Sequence, residues 1–144
     1  ELAFARHWRA RATYTFSDFR FREYHRENEL LDGEFLPGIP RHFGAFSVEY
    51  HEPRDFFLTL QSRFAGHLFA DDFNETRVDG YALVNLHFGW EKKVKNWRFL
   101  YFYGADNLLN VRYFDNIRIN AFGGRYYEPG PRLTLFAGVR VRWE

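Results

Sequence analysis

The six histidines, His7, His25, His42, His51, His67 and His87, are the side chains of this chain best suited to proton transfer or metal binding. They are scattered, and no His-Glu-x-x-His spacing sets two of them on one helix face. His67 with Asp71 and Asp72 has the oxygen ligands for a hard cation, and it equally suits a solvated polar loop. Gly123-Gly124-Arg125-Tyr126-Tyr127 lacks the Gly-x-x-x-x-Gly-Lys pattern of a phosphate loop. There are no cysteines, so disulfides and thiolate metal sites are excluded. No catalytic constellation, resident metal or cofactor is expected, and the chain does not read as an enzyme. What remains is a set of arginines and aromatics. Their meaning depends on the elements that carry them.

Those elements are strands. In Arg132 to Trp143, Leu133, Leu135, Ala137, Val139, Val141 and Trp143 alternate with Arg132, Thr134, Phe136, Gly138, Arg140 and Arg142. A period of two puts successive side chains on opposite sides of a pleated strand. One face is apolar and the other largely cationic. At about a dozen residues, the strand is long enough to cross a bilayer at a tilt. The same alternation predicts strands over residues 6–24, 41–50, 55–65, 77–90, 97–105 and 132–143. At Asp18 the phase flips, which implies either a bulge or the end of the wall.

Aromatics make up 22% of the chain, mean hydropathy is −0.50 and net charge is +1. No apolar run reaches the length of a transmembrane helix, whereas strands of a membrane barrel alternate and average to a hydrophilic value. Connections alternate long, short, long, short, long. Antiparallel neighbours in an up-and-down meander then carry all the long loops at one end. Trp8, Tyr50, Phe56, Phe88, Trp90, Trp97 and Trp143 fall at the other end as one aromatic girdle. This is the asymmetry of a transmembrane β-barrel. A soluble barrel has the same alternation turned inside out, with its apolar face inward.

Arg9, Arg11, Arg63, Arg98, Arg140 and Arg142 share the polar face and suit a wet interior. They sit opposite most aromatics, so nucleic-acid binding is not expected. Glu49 and Asp106 are their few candidate partners within this chain, so most would pair with groups outside it, with water as the alternative. In the long loops, Asp71, Asp72, Arg118, Arg125, Tyr126 and Tyr127 are the candidate ligand groups. Tyr113, Phe114, Tyr126 and Tyr127 could stack on a flat ligand or on the base of their own loop. Six strands cannot close a barrel, which needs about eight. The chain, which opens on Glu1 without Met, therefore reads as a piece of something longer, with the remaining strands expected before Glu1.

Three segments carry a family resemblance. They are Asn107-Leu108-Leu109-Asn110-Val111-Arg112-Tyr113, then Arg125-Tyr126-Tyr127-Glu128-Pro129-Gly130-Pro131, then a last strand with Gly138 and Trp143. With Leu36-Pro37-Gly38-Ile39-Pro40-Arg41-His42 and the stretch from Phe69 to Trp90, these resemble the C-terminal part of TonB-dependent outer-membrane receptors. One departure is Glu144, which follows the terminal aromatic. The resemblance implies an all-β, antiparallel barrel of about 22 strands with an N-terminal plug domain inside it. This chain would supply only its last six strands and last three outer loops. It further implies a place in the bacterial outer membrane and TonB-energised uptake of a scarce nutrient such as an iron–siderophore complex. The implied partners are outer-membrane lipid, the TonB complex and plug through the absent N-terminal part, the barrel-assembly machinery reading Trp143, and a small-molecule or metal-chelate substrate. A non-transport outer-membrane barrel (adhesin, enzyme or passive porin) and a soluble ligand-binding barrel are the alternatives.

Overall fold

The computed structural model describes residues 2–26, 28–52, 56–124 and 127–144. Its strands are β1 (Leu2–Ala5), β2 (Trp8–Phe16), β3 (His25–Arg26), β4 (Glu29–Leu30), β5 (His42–His51), β6 (Phe56–Ala65), β7 (Leu68–Phe69), β8 (Arg77–Val78), β9 (Tyr81–Val94), β10 (Trp97–Asp106), β11 (Phe114–Ile117), β12 (Tyr127–Pro129) and β13 (Thr134–Trp143). One antiparallel sheet, in the order β1-β2-β5-β6-β9-β10-β13, forms a wall that does not close. The short pairs β3–β4, β7–β8 and β11–β12 lie inside the three long connections.

Four boundaries differ from the sequence reading. β1 is an additional strand, paired back on β2 across Arg6 and His7; four residues are too few to show a period. β2 ends at Phe16, and the phase flip at Asp18 marks the chain leaving the wall. The strand expected over 77–90 is split. Arg77–Val78 pairs with Leu68–Phe69 instead, and the wall resumes at Tyr81. At its far end β9 runs on to Val94, where Glu91, Lys92, Lys93 and Val94 pair with Leu100, Phe99, Arg98 and Trp97 of β10. The start expected at Asp55 lies outside the described residues.

The register settles which side chains share a face. Arg9↔Glu49, Glu49↔Thr59, Thr59↔His87, His87↔Gly104 and Gly104↔Phe136 run straight across the wall on the polar side. One residue along, Ala10↔Val48, Val48↔Leu60, Leu60↔Leu86, then Ala105 beside Leu86 and opposite Leu135, make an apolar row. The third long connection folds in over the polar side: Asp115 bonds to Arg63 at 3.2 Å and the Tyr113 ring lies 4.9 Å from Tyr81. Among the described residues nothing covers the apolar side. Leu135 is 72% exposed, Val139 54% and Trp143 61%, and no large side chain is fully buried among the described residues. An apolar face of this extent needs an apolar medium against it.

The polar face carries a band of phenylalanines. Phe102 pairs with Gly138, and Phe136 pairs with Gly104. A Cβ added at either glycine would overlap the facing ring. Phe57 lies over Gly89 in the same way. Each ring thus occupies the space that the glycine opposite leaves free, the aromatic-rescue arrangement of sheets. This is why the inner face of β10 is less polar than that of its neighbours.

Two outcomes follow. In the full receptor in detergent or lipid, Leu60→Arg should cost about 2–4 kcal/mol, as for a charge near mid-bilayer, while Gln61→Arg should be close to neutral. Urea titration of heat-modifiable folding measures both; equal costs would contradict the two-sided wall. Gly104→Ala should cost about 1–3 kcal/mol by overpacking. Combining it with Phe136→Ala should cost clearly less than the sum of the two single changes.

Candidate ligand-facing loop rim

Loop 66–80 is the hub of the rim. Its Asn74 side chain pairs with the backbone of Phe35 in both directions: the Phe35 N–H donates to Oδ1 at 2.8 Å, and Nδ2 donates to the Phe35 carbonyl at 2.9 Å. The Gly38 N–H donates to the Phe69 carbonyl at 2.8 Å. Arg26 forms an ion pair with Asp72. On the other flank, the Asn120 N–H donates to the Ala70 carbonyl at 2.8 Å, and its Oδ1 accepts from the Asp72 N–H at 3.1 Å. All three long connections are thereby tied into one body.

Local sequence chemistry makes this hub. Asp71 accepts from the backbone N–H groups of Glu75 at 3.0 Å and Thr76 at 2.6 Å, so the chain turns back on itself. Asn74 and Asn120 hold φ of 58° and 55°, a left-handed conformation that Asn tolerates well. Asp71 and Asp72 are each 7% exposed. Burial pushes the Asp71 carboxyl up. Hydrogen bonds from Thr76 and from the backbone of Glu75, Thr76 and Phe73 outweigh it and leave the group below its ordinary value. Both carboxylates are engaged within the loops, and among the described residues no three metal-ligating side chains converge.

A second tie closes the base of the third connection. Asn107, 3% exposed, pairs with Val111 in both directions at 2.9 and 2.8 Å and reaches the Pro131 carbonyl at 3.0 Å. Its own N–H donates to the Asn85 side chain at 2.9 Å. Asn110 accepts from Arg132 Nε at 2.8 Å and from the Leu133 N–H at 3.2 Å. The Tyr113 ring lies on Gly130, where a Cβ would collide with it. The two sequence segments singled out above are therefore the two sides of one latch, which turns the chain inward over the rim.

Beyond the latch, β11 and β12 carry the loop outward. Arg118 bonds to Glu128 at 3.0 Å, and Tyr127 stacks on Phe114 with centroids 4.4 Å apart. Hydrogen bonds from Asn116 and Arg118 hold the Glu128 carboxyl below its usual range. Phe122, at the tip, is 98% exposed. Arg125 and Tyr126 lie outside the described residues. Below the rim, Arg9 and Arg11 approach Glu49 at 3.8 and 3.7 Å. Asp106 pairs with His87 at 2.8 Å instead of with an arginine. Arg98 is bound by Glu91 and Glu144, two partners the sequence reading did not name. Arg140, Arg142 and Trp143 are exposed on β13. Asn74, Asn120 and Arg26 tie the loops together through Phe35, Ala70 and Asp72, all distant in sequence, and Asn107 reaches across the latch to Pro131.

Comparison with known proteins agrees with this architecture. The family model described as TonB dependent receptor-like, beta-barrel matches residues 1–108. Among solved structures, the chain is similar to the siderophore receptor PiuA from Acinetobacter baumannii, with a TM-score of 0.71 and 17% identity over 96% of this chain and 20% of that one. It is also similar to the ferric yersiniabactin uptake receptor FyuA from Yersinia pestis, with a TM-score of 0.63 and 20% identity over 97% of this chain and 21% of that one. A third is the ferric citrate transporter FecA in its unliganded form, with a TM-score of 0.64 and 21% identity over 77% and 18%. At these identities the likeness shows a shared fold, and the chain spans about a fifth of each of those structures. The family match covers the wall from β1 through β10 and reaches into the latch at Asn107 and Leu108, so this chain belongs to the TonB-dependent receptor-like β-barrel family.

Proposed function

We propose that this chain is the C-terminal part of the barrel of an outer-membrane receptor that takes up an iron–siderophore complex or a similar metal chelate. Energy arrives through TonB, which engages a plug domain carried by another part of the protein. The observation that carries this reading is the rim. Three long loops are tied into one body above a polar, arginine-bearing wall, and the third folds inward over it. Binding groups concentrate on loops that a rigid scaffold holds in place. The relatives whose fold this chain shares are described as siderophore, ferric yersiniabactin and ferric citrate receptors or transporters, which supports a ferric chelate as substrate.

The residues divide by role. Arg118, Arg125, Tyr126 and Tyr127, all within the third long connection, are the ligand-contacting set. Arginine offers a planar fork to carboxylate or catecholate oxygens, and the tyrosines offer flat faces. Asp71 and Asp72 act behind them by shaping the hub. Arg9, Arg11, Arg63, Arg98, Arg140 and Arg142 line the lumen that the plug fills. Trp143 ends the strand that the barrel-assembly machinery reads.

Arg118→Ala combined with Tyr127→Ala should leave the surface amount of the full receptor unchanged. Ferric-chelate binding should weaken roughly tenfold or more, the scale of losing a charge-assisted contact. The measurement is uptake and equilibrium binding of radiolabelled ferric chelates, with and without TonB. Wild-type, TonB-dependent uptake by this variant would place recognition elsewhere in the receptor.

Acid should loosen the hub. The Asp71 pKa is lowered in the folded state, so its contribution to stability is complete above about pH 4 and is lost as pH falls through the folded value. Amide exchange at Glu75 and Thr76, corrected for the intrinsic pH dependence, should rise below about pH 4. In Asp71→Ala it should already be raised at pH 7. Unchanged protection in that variant would remove Asp71 from the hub.

A further inference from the structure

The short-turn end of the wall carries a charge asymmetry. β9 and β10 form a hairpin, closed by Lys95 and Asn96, that runs past the end of β6 and is paired along its other side by β13 as far as Trp143. The two carboxylates that bind it are both on the polar side. Glu91 binds Arg98 at 2.6 Å, and Glu144 binds both Arg98 and Lys93, the latter at 2.7 Å. The Glu144 N–H also donates to the Asn96 carbonyl at 2.8 Å. Lys92 points the other way. It lies in the apolar row between Trp90 and Val94, directly opposite Phe99. Lys92 and Lys95 are exposed, and neither has an ion-pair partner among the described residues.

Three indoles bracket Lys92. Trp90 stacks against Tyr101 at 5.6 Å, and Trp97 meets Trp143 edge-on at 4.7 Å. Their rings are well exposed, and none of the three indole N–H groups has an acceptor among the described residues. One corner of the wall thus combines Lys92 and three unsatisfied donors on its apolar side with the exposed Lys95 of the adjoining turn. A lysine in such a row is tolerated where its ammonium can reach the headgroup level, and tryptophans favour that same level. The complementary ligand is anionic, rich in oxygen acceptors and attached to an apolar tail.

We propose that this corner, Lys92 and Lys95 with Trp90, Trp97 and Trp143, is a binding site for the phosphate headgroup of an anionic glycerophospholipid in the leaflet at the short-turn end. The ammonium groups take the phosphate, the indole N–H groups take its remaining oxygens or the ester carbonyls, and the acyl chains lie along Phe99, Tyr101 and Val141. Glu144 contributes indirectly. By holding Lys93 and Arg98 on the inner side, it keeps its own carboxylate away from the lipid. This rests on the outer-membrane placement proposed above.

Native mass spectrometry of the full receptor, loaded from vesicles with equal phosphatidylglycerol and phosphatidylethanolamine, tests it. The wild type should retain phosphatidylglycerol preferentially. Lys92→Gln should reduce that preference about fivefold, and Lys92→Gln with Lys95→Gln should reduce it further, at roughly 1 kcal/mol for each lysine near the surface. Lys92→Arg should keep it, and so should Lys93→Gln, whose side chain faces inward. An unchanged preference in the double variant, or an equal loss in Lys93→Gln, would overturn the site. A separate arm uses vesicles of bromine-labelled phosphatidylcholine. Tryptophan emission should be quenched in every variant. Failure of that quenching would instead overturn the membrane placement.

Discussion

A wall one strand thick has no interior of its own. Its backbone hydrogen bonds are satisfied along the sheet, but each face depends on what lies against it. Here the register commits every strand to the same division. Ala10, Val48, Leu60, Leu86 and Leu135 fall on one side, and Arg9, Glu49, Thr59, His87 and Phe136 on the other. A slip of one residue in any strand would exchange the two sets. The exposed apolar side and the loops over the polar side are two results of that one constraint.

The polar side is not uniformly polar, and the exceptions stiffen it. Phe57, Phe102 and Phe136 each occupy the gap above a glycine on the adjacent strand. His87 meets the Phe136 ring edge-on at 5.4 Å while bonding to Asp106. This band lies below the latch, where Asn107 is anchored through the side chain of Asn85. The loops therefore start from a fixed rim, and the hub at 66–80 fixes them to one another. Under the proposed function, this preorganised body lowers the ordering cost of binding a ligand at the long-loop end.

The wall was legible in the sequence because its signal is local. Alternation, long and short connections and the aromatic ends can all be read within a dozen residues. The boundaries that differ are those where the local signal stops. β1 is too short to show a period, and Glu91 to Lys93 are three charged residues in a row, which interrupts the alternation. The latch was legible as a pair of motifs, though its mechanism was not, since Asn107 acts through Val111 and Pro131 and Tyr113 acts through Gly130. The hub was not legible at all. Asn74 with Phe35, Arg26 with Asp72 and Asn120 with Ala70 join residues about forty to fifty apart, and no composition or spacing marks such pairs. Asp71 and Asp72, candidate ligand groups from their place in a long loop, are buried and bonded within it. Glu144, the one departure from the family ending, is held by Lys93, Arg98 and Asn96 as a working part of the last turn.

The central claim is that one face of this wall meets lipid and the other meets the lumen. This chain contains no cysteine, so once any cysteine elsewhere in the full receptor is replaced by serine, single cysteines can be placed at each position from Phe57 to Phe64 and spin-labelled in bilayers. The measurement is the ratio of oxygen to nickel-chelate accessibility along β6. It should alternate with a period of two, with oxygen maxima at Leu58, Leu60, Ser62 and Phe64. Maxima at Thr59, Gln61 and Arg63, or no alternation, would contradict the assignment of the two faces.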